Sequence, residues 1–113
     1  MEVLFRARHC DAVALRGVVV QRTRFVMRRI EWMVPRASLV LDDVNGPRGG
    51  VDKRCVVELR AAGVAPVVVT SVARDWRSAL DAALARAARV LLRQWQRVRD
   101  RVRSLSQRTP VAR

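Results

Sequence analysis

Between residues 75 and 105 the apolar and the basic residues separate onto two stripes of a helical wheel. Leu80, Leu84, Ala87, Leu91, Trp95, Val98, Val102 and Leu105 recur at spacings of 4, 3, 4, 4, 3, 4 and 3, the period of one helix face. Arg86, Arg89, Arg93, Arg97 and Arg101 recur at spacings of 3, 4, 4 and 4. At about 100° per residue the two stripes are centred roughly 140° apart. A helix with one apolar stripe must bury it, so the rest of the chain has to supply a surface. Asp75 is placed to cap the helix. At ~1.5 Å per residue it is about 45 Å long. A small sheet does not need so long a cover, so the turns after Trp95 are expected to project, fray or pack on a partner.

The preceding sequence supplies a sheet. Val3, Phe5 and Ala7 alternate with Glu2, Leu4, Arg6 and Arg8, as in a half-buried strand. A second strand is expected over 36–43, with Ala37, Leu39 and Leu41 on one face. A third is expected over 53–60, with Cys55, Val57 and Leu59 inward, and a Val-rich fourth over 66–72. Pro66 falls at the start of the fourth, where a missing N–H is tolerated. Between the first two strands a helix is expected from a cap at Asp11 to about Glu31. Leu15, Val19, Val26 and Ile30 would face the core, with Val18 and Met27 beside them. Gly17 and the β-branched run Val18-Val19-Val20 weaken that helix. Trp32 and Met33 are expected to cover the edge of the core, and Trp95 and Trp76 to lie in or near it. The order is βαβββα, an α+β domain with two helices on one face of a four-stranded sheet. Residues 1–105 form the domain, and 106–113 a disordered basic tail.

The segment from Asp42 to Cys55 joins the second and third strands. Asn45, Gly46, Pro47, Gly49 and Gly50 supply turn chemistry for a long hairpin loop. Its charges cancel, Asp42, Asp43 and Asp52 against Arg48, Lys53 and Arg54. The glycines do not match a phosphate-binding loop, and the acids lack the spacing of a calcium loop.

Charge narrows the function. The 113 residues carry a net charge of +13, from 22 arginines and one lysine against 10 acids. Such a balance points to a polyanion, and guanidinium suits phosphate. A GC-rich coding sequence produces the same arginine bias. A solvated helix face normally mixes signs, whereas the stripe from Arg86 to Arg101 is positive throughout. Like charges at i and i+4 destabilise a helix by a few tenths of a kcal/mol per pair, and a polyanion would explain why they are tolerated. His9, Cys10 and Cys55 form no nucleophile, zinc or oxyanion pattern. No enzyme activity, metal, cofactor or small-molecule substrate is expected. No apolar run approaches a membrane span and no leader pattern opens the chain, so a cytoplasmic location without membrane binding is expected.

The run Val44-Asn45-Gly46-Pro47-Arg48-Gly49-Gly50-Val51-Asp52-Lys53-Arg54-Cys55, set between two strands, resembles the central loop of the bacterial ribosome hibernation factors. These are the hibernation-promoting factor, protein Y or ribosome-associated inhibitor A family, also called sigma-54 modulation proteins. Leu15-Arg16 with Arg22, Arg24, Phe25 and Arg29 resembles that family's first helix. Trp76 to Asp81, ending Ala79-Leu80-Asp81, resembles the start of its second. The resemblance spans roughly residues 3–97.

This resemblance implies a fold similar to double-stranded RNA-binding domains. It implies binding to ribosomal RNA in the mRNA and tRNA channel of the small ribosomal subunit, keeping ribosomes inactive under stress. By position it implies RNA contacts from Arg22, Arg28, Arg29, Arg86, Arg89, Arg93 and Arg97, with Lys53 and Arg54 at the loop end. Thr23 departs from the family, which carries a larger apolar residue there. No dimerisation domain is expected after the basic tail, so direct ribosome dimerisation by this chain is not expected. Two alternatives stay open: a general RNA- or DNA-binding domain, and a protein-interaction module using the far end of the second helix.

Overall fold

The computed structural model describes residues 1–8, 10–44 and 52–108. Strand β1 (Glu2–Ala7) leads through two helices, α1 (Cys10–Val13) and α2 (Arg16–Met27), and a 3-10 turn (Glu31–Met33) to β2 (Arg36–Asp43). Then come β3 (Lys53–Ala61), β4 (Val64–Ala73) and α3 (Trp76–Arg108). The sheet order is β1-β2-β3-β4. β1 and β2 are parallel, which the helical crossover between them permits. β2, β3 and β4 form an antiparallel meander. The α+β class and the βαβββα order expected from the sequence are those observed.

Alternation along the strands decides which sheet face is covered. Ala37, Leu39, Leu41, Cys55, Val57, Leu59, Val67 and Val69 are buried, and the residues between them point away. Onto this face α2 brings Val19, Thr23 and Met27, and α3 brings Ala79, Leu80, Ala83, Leu84, Ala87 and Leu91. The alanines let α3 lie close to the strands. Each buried leucine contributes roughly 1.5–3 kcal/mol. Burial pushes the Cys55 thiol up to about 12, which suits a core residue and not a nucleophile.

β4 begins at Val64, so Pro66 is its third residue and not its first as expected. It is an edge strand, so Pro66 needs no ladder partner. The pairing slips by one residue between Leu59 and Ala61, opposite Pro66, and Gly63 turns the hairpin with φ of 77°.

The first helical segment differs from expectation. It is not one helix from Asp11 to Glu31. α1 begins at Cys10, so Asp11 lies inside it and not at its cap. The chain then turns at Ala14-Leu15, where the Leu15 N–H donates to the Ala12 carbonyl at 3.0 Å. α2 restarts without a side-chain cap. After Met27 the bonds tighten to i→i+3: Ile30 N–H to Met27 O at 2.8 Å and Met33 N–H to Ile30 O at 3.0 Å. The core side of α2 is shifted too. Thr23 and Met27 are fully buried, whereas Leu15 and Val26 are only partly so and Val18 is exposed. Thr23 can sit there because its hydroxyl donates to the Val19 carbonyl at 2.7 Å. Trp32, expected over the core edge, is 70% exposed.

The start of α3 is the one the sequence predicts. Asp75 caps it, accepting the Ser78 N–H at 2.8 Å and the Ser78 hydroxyl at 2.9 Å. The backbone bond from Ser78, foremost among these, holds the Asp75 carboxyl below its ordinary value. The capping contribution is therefore present above the ordinary carboxylate range and fades as pH falls through the lowered value. The helix runs to Arg108, three residues into the segment expected as tail.

Candidate nucleic-acid interface

The basic ridge lies where the wheel puts it. Arg86, Arg89, Arg93, Arg97 and Arg101 are all exposed on α3, and none of them forms an ion pair among the described residues. Arg86 also reaches the sheet, donating a long 3.4 Å bond to the Thr70 carbonyl of β4. Arg97 and Arg101 line a shallow groove against the β3–β4 turn at Gly63, Val64 and Ala65. The ridge is a row of uncompensated guanidinium groups on a rigid helix, a geometry that offers bidentate bonds to successive phosphates.

The arginines on and after α2 are differently placed. Arg22 is half-buried and donates to Asp81 of α3 at 3.1 Å, so part of its charge ties the two helices together. Phe25 is 54% exposed between two guanidinium groups, Arg28 at 4.6 Å and Arg22 at 5.5 Å from the ring centroid. Arg28 and Arg29 are exposed. Residue spacing does not reveal the clustering of Phe25 with Arg22 and Arg28, because helix periodicity assigns a face and not a stacking partner.

Lys53 and Arg54 do not join the ridge as free cations. They pair across β2–β3 with the acids that face them in register, Lys53 with Asp43 at 2.7 Å and Arg54 with Asp42. Lys53 also lies 3.3 Å from the buried Asp52 and 5.4 Å from the Trp76 ring centroid. The hydrogen bond to Asp43, foremost, raises the Lys53 ammonium above its ordinary value against the opposing effect of desolvation. For Asp42, Asp43, Asp52, Lys53 and Arg54 the charge cancellation in the loop sequence is therefore pairing at the base of the hairpin, while Arg48 lies outside the described residues. Lys53 and Arg54 also sit at successive positions of β3, so they point to opposite faces of the sheet. Asn45, Gly46, Pro47, Gly49 and Gly50 lie outside the described residues, as does His9. Among the described residues there is no cluster of His, Cys, Asp and Glu that could hold a metal. No described helix is long and apolar enough to cross a membrane.

No family model matches the sequence, and no curated protein matches it. Solved structures do match. A ribosomal subunit interface protein from Coxiella burnetii superposes with a TM-score of 0.60 at 9% identity, covering 85% of this chain and 96% of that one. The N-terminal domain of Thermus thermophilus Protein Y superposes with a TM-score of 0.60 at 21% identity, covering 80% of this chain and 96% of that one. Over most of its length the chain carries the fold of the Protein Y N-terminal domain and of the ribosomal subunit interface protein.

Proposed function

We propose that the chain is a ribosome-associated factor of the hibernation-promoting and protein Y type. In this reading it binds small-subunit ribosomal RNA in the mRNA and tRNA channel and keeps ribosomes inactive under stress. The observation that carries it is the unpaired arginine ridge of α3, set on a fold shared with two proteins named for the ribosome or as Protein Y. The loop resemblance from Val44 to Cys55 adds independent support.

The mechanism is recognition of phosphate and shape. Arg86, Arg89, Arg93 and Arg97 would contact phosphates along one helix face, with Arg28 and Arg29 extending the surface from the end of α2. Folded RNA is read by its backbone and its shape, so no base-specific code is required. A domain wedged in the channel inhibits by occupancy alone and needs no catalytic group. The cytoplasm is the compartment this reading requires.

The second reading, a general RNA or DNA binder, rests on the same ridge, and affinity measured at physiological salt separates the two. The expected result is binding to purified small subunits at least tenfold tighter than to a random-sequence RNA duplex or a DNA duplex of equal length. Equal affinity for all three would replace the ribosomal reading with the general one.

A further inference from the structure

The apolar stripe of α3 outlasts the surface it covers. Burial along the stripe is complete through Leu91, partial at Trp95 and Val98, and lost at Val102, which is 61% exposed, and Leu105, 55% exposed. The helix of 33 residues is about 50 Å long at ~1.5 Å per residue, and the molecule is 70 Å along its longest axis. From Leu91 onward the spacing is 4, 3, 4 and 3, the seam of a heptad helix pair. At the base of this seam Trp32, 70% exposed, meets Trp95 edge-to-face at 5.8 Å, and Arg99 lies over the Trp95 ring at 4.9 Å. Exposed tryptophan beside arginine is the composition that dominates binding energy in protein interfaces.

We infer that the seam from Trp95 to Leu105, with Trp32 at its base, docks an acidic amphipathic helix of a partner protein. Charge selects this occupant. Arg99 borders the seam on one side and Arg101 on the other, with Arg103 beyond Arg99, while Asp100 turns away. Flanking positions of a helix pair set partner choice by charge, and here both flanks ask for carboxylates. A second copy of this chain would set arginine against arginine. A membrane surface needs a broad apolar face, and this one is a narrow two-position seam. RNA gains little from Val102. The seam shares only Arg101 with the phosphate ridge, and Arg86, Arg89, Arg93 and Arg97 lie away from it, so the chain could hold RNA and a protein at once.

The probe is a fluorescent synthetic helix with leucine at its seam positions and glutamate on both flanks, titrated with the full chain at physiological salt. A control helix carries lysine on the flanks. The expected result is saturable one-to-one binding of the glutamate helix, at least tenfold tighter than the lysine helix. Replacing Val102→Ser and Trp32→Ala together leaves every charge in place and should weaken that binding at least tenfold. Both side chains are largely exposed, so the fold and the affinity for small subunits should hold, with the melting temperature lowered only by the loss of the Trp32 contacts to Trp95 and the Arg29 carbonyl. Unchanged peptide affinity in the variant would reduce the binding to general attraction by arginine and overturn the inference. So would a self-association of the wild-type chain, seen in sedimentation velocity, that the variant loses. Loss in the variant of binding to phosphatidylglycerol vesicles or to small subunits, with peptide binding intact, would assign the seam to lipid or RNA instead.

Discussion

Replacing Arg89→Glu and Arg93→Glu together should lower affinity for small ribosomal subunits by on the order of 100-fold at physiological salt. Juxtaposing like charges at an interface costs several kcal/mol, and this variant turns two phosphate contacts into two repulsions. The salt dependence should flatten as well, by about one unit of log–log slope for each phosphate the chain no longer neutralises. Stability should hold. Both side chains are exposed, glutamate is a good helix former, and Glu at 93 gains Arg97 as an i+4 partner. A melt followed by circular dichroism, beside filter binding, separates the two effects. Wild-type affinity in a folded double variant would remove the ridge from the interface.

The second large effect is on folding. Leu91 is fully buried against the sheet, and Val102, three turns further along the same stripe, is 61% exposed. Leu91→Ala should cost about 2–5 kcal/mol, the range for emptying a packed leucine site. Val102→Ala should stay within about 0.5 kcal/mol, as exposed sites do. Urea unfolding of the two variants measures the difference directly. Similar losses from both would mean that α3 is anchored along its whole length and leaves no seam free to dock a partner.

The long helix is legible in the sequence because its pattern is redundant. Eight apolar positions in register fix the buried side of α3, and Asp75 marks its start. The strands are legible for a similar reason: inward Ala37, Leu39 and Leu41 face inward Leu59, Val57 and Cys55 across the meander. The first helix is harder to read. Its stripe is weak, and the break at Ala14-Leu15 rests on a local turn that periodicity does not record. Thr23 is buried because its hydroxyl finds a backbone acceptor four residues back, an arrangement that a hydropathy pattern counts as polar and exposed.

The candidate interface divides along the same line. Exposure of Arg89, Arg93 and Arg97 follows from the wheel. The engagement of Arg22 by Asp81 depends on how α2 crosses α3, which no single-helix pattern contains. Lys53 and Arg54 are tied by Asp43 and Asp42 because register sets them opposite one another. Their charge is committed within the hairpin, which leaves the ridge of α3 as the main source of affinity in the proposed binding to RNA. Hydropathy alone puts Trp32 over the core, as aromatic residues usually are. Its exposure beside Trp95 is the tertiary detail that separates the proposed docking seam from the ridge proposed to face RNA.

The proposed function requires association with the ribosome. Sucrose-gradient sedimentation of a stationary-phase lysate at low salt tests it most directly, with the chain detected across the fractions. It should sediment with small subunits and whole ribosomes, and move to the top of the gradient as salt is raised, because bound counterions then compete for the phosphates. A chain that stays at the top of the gradient at low salt would rule out ribosome association.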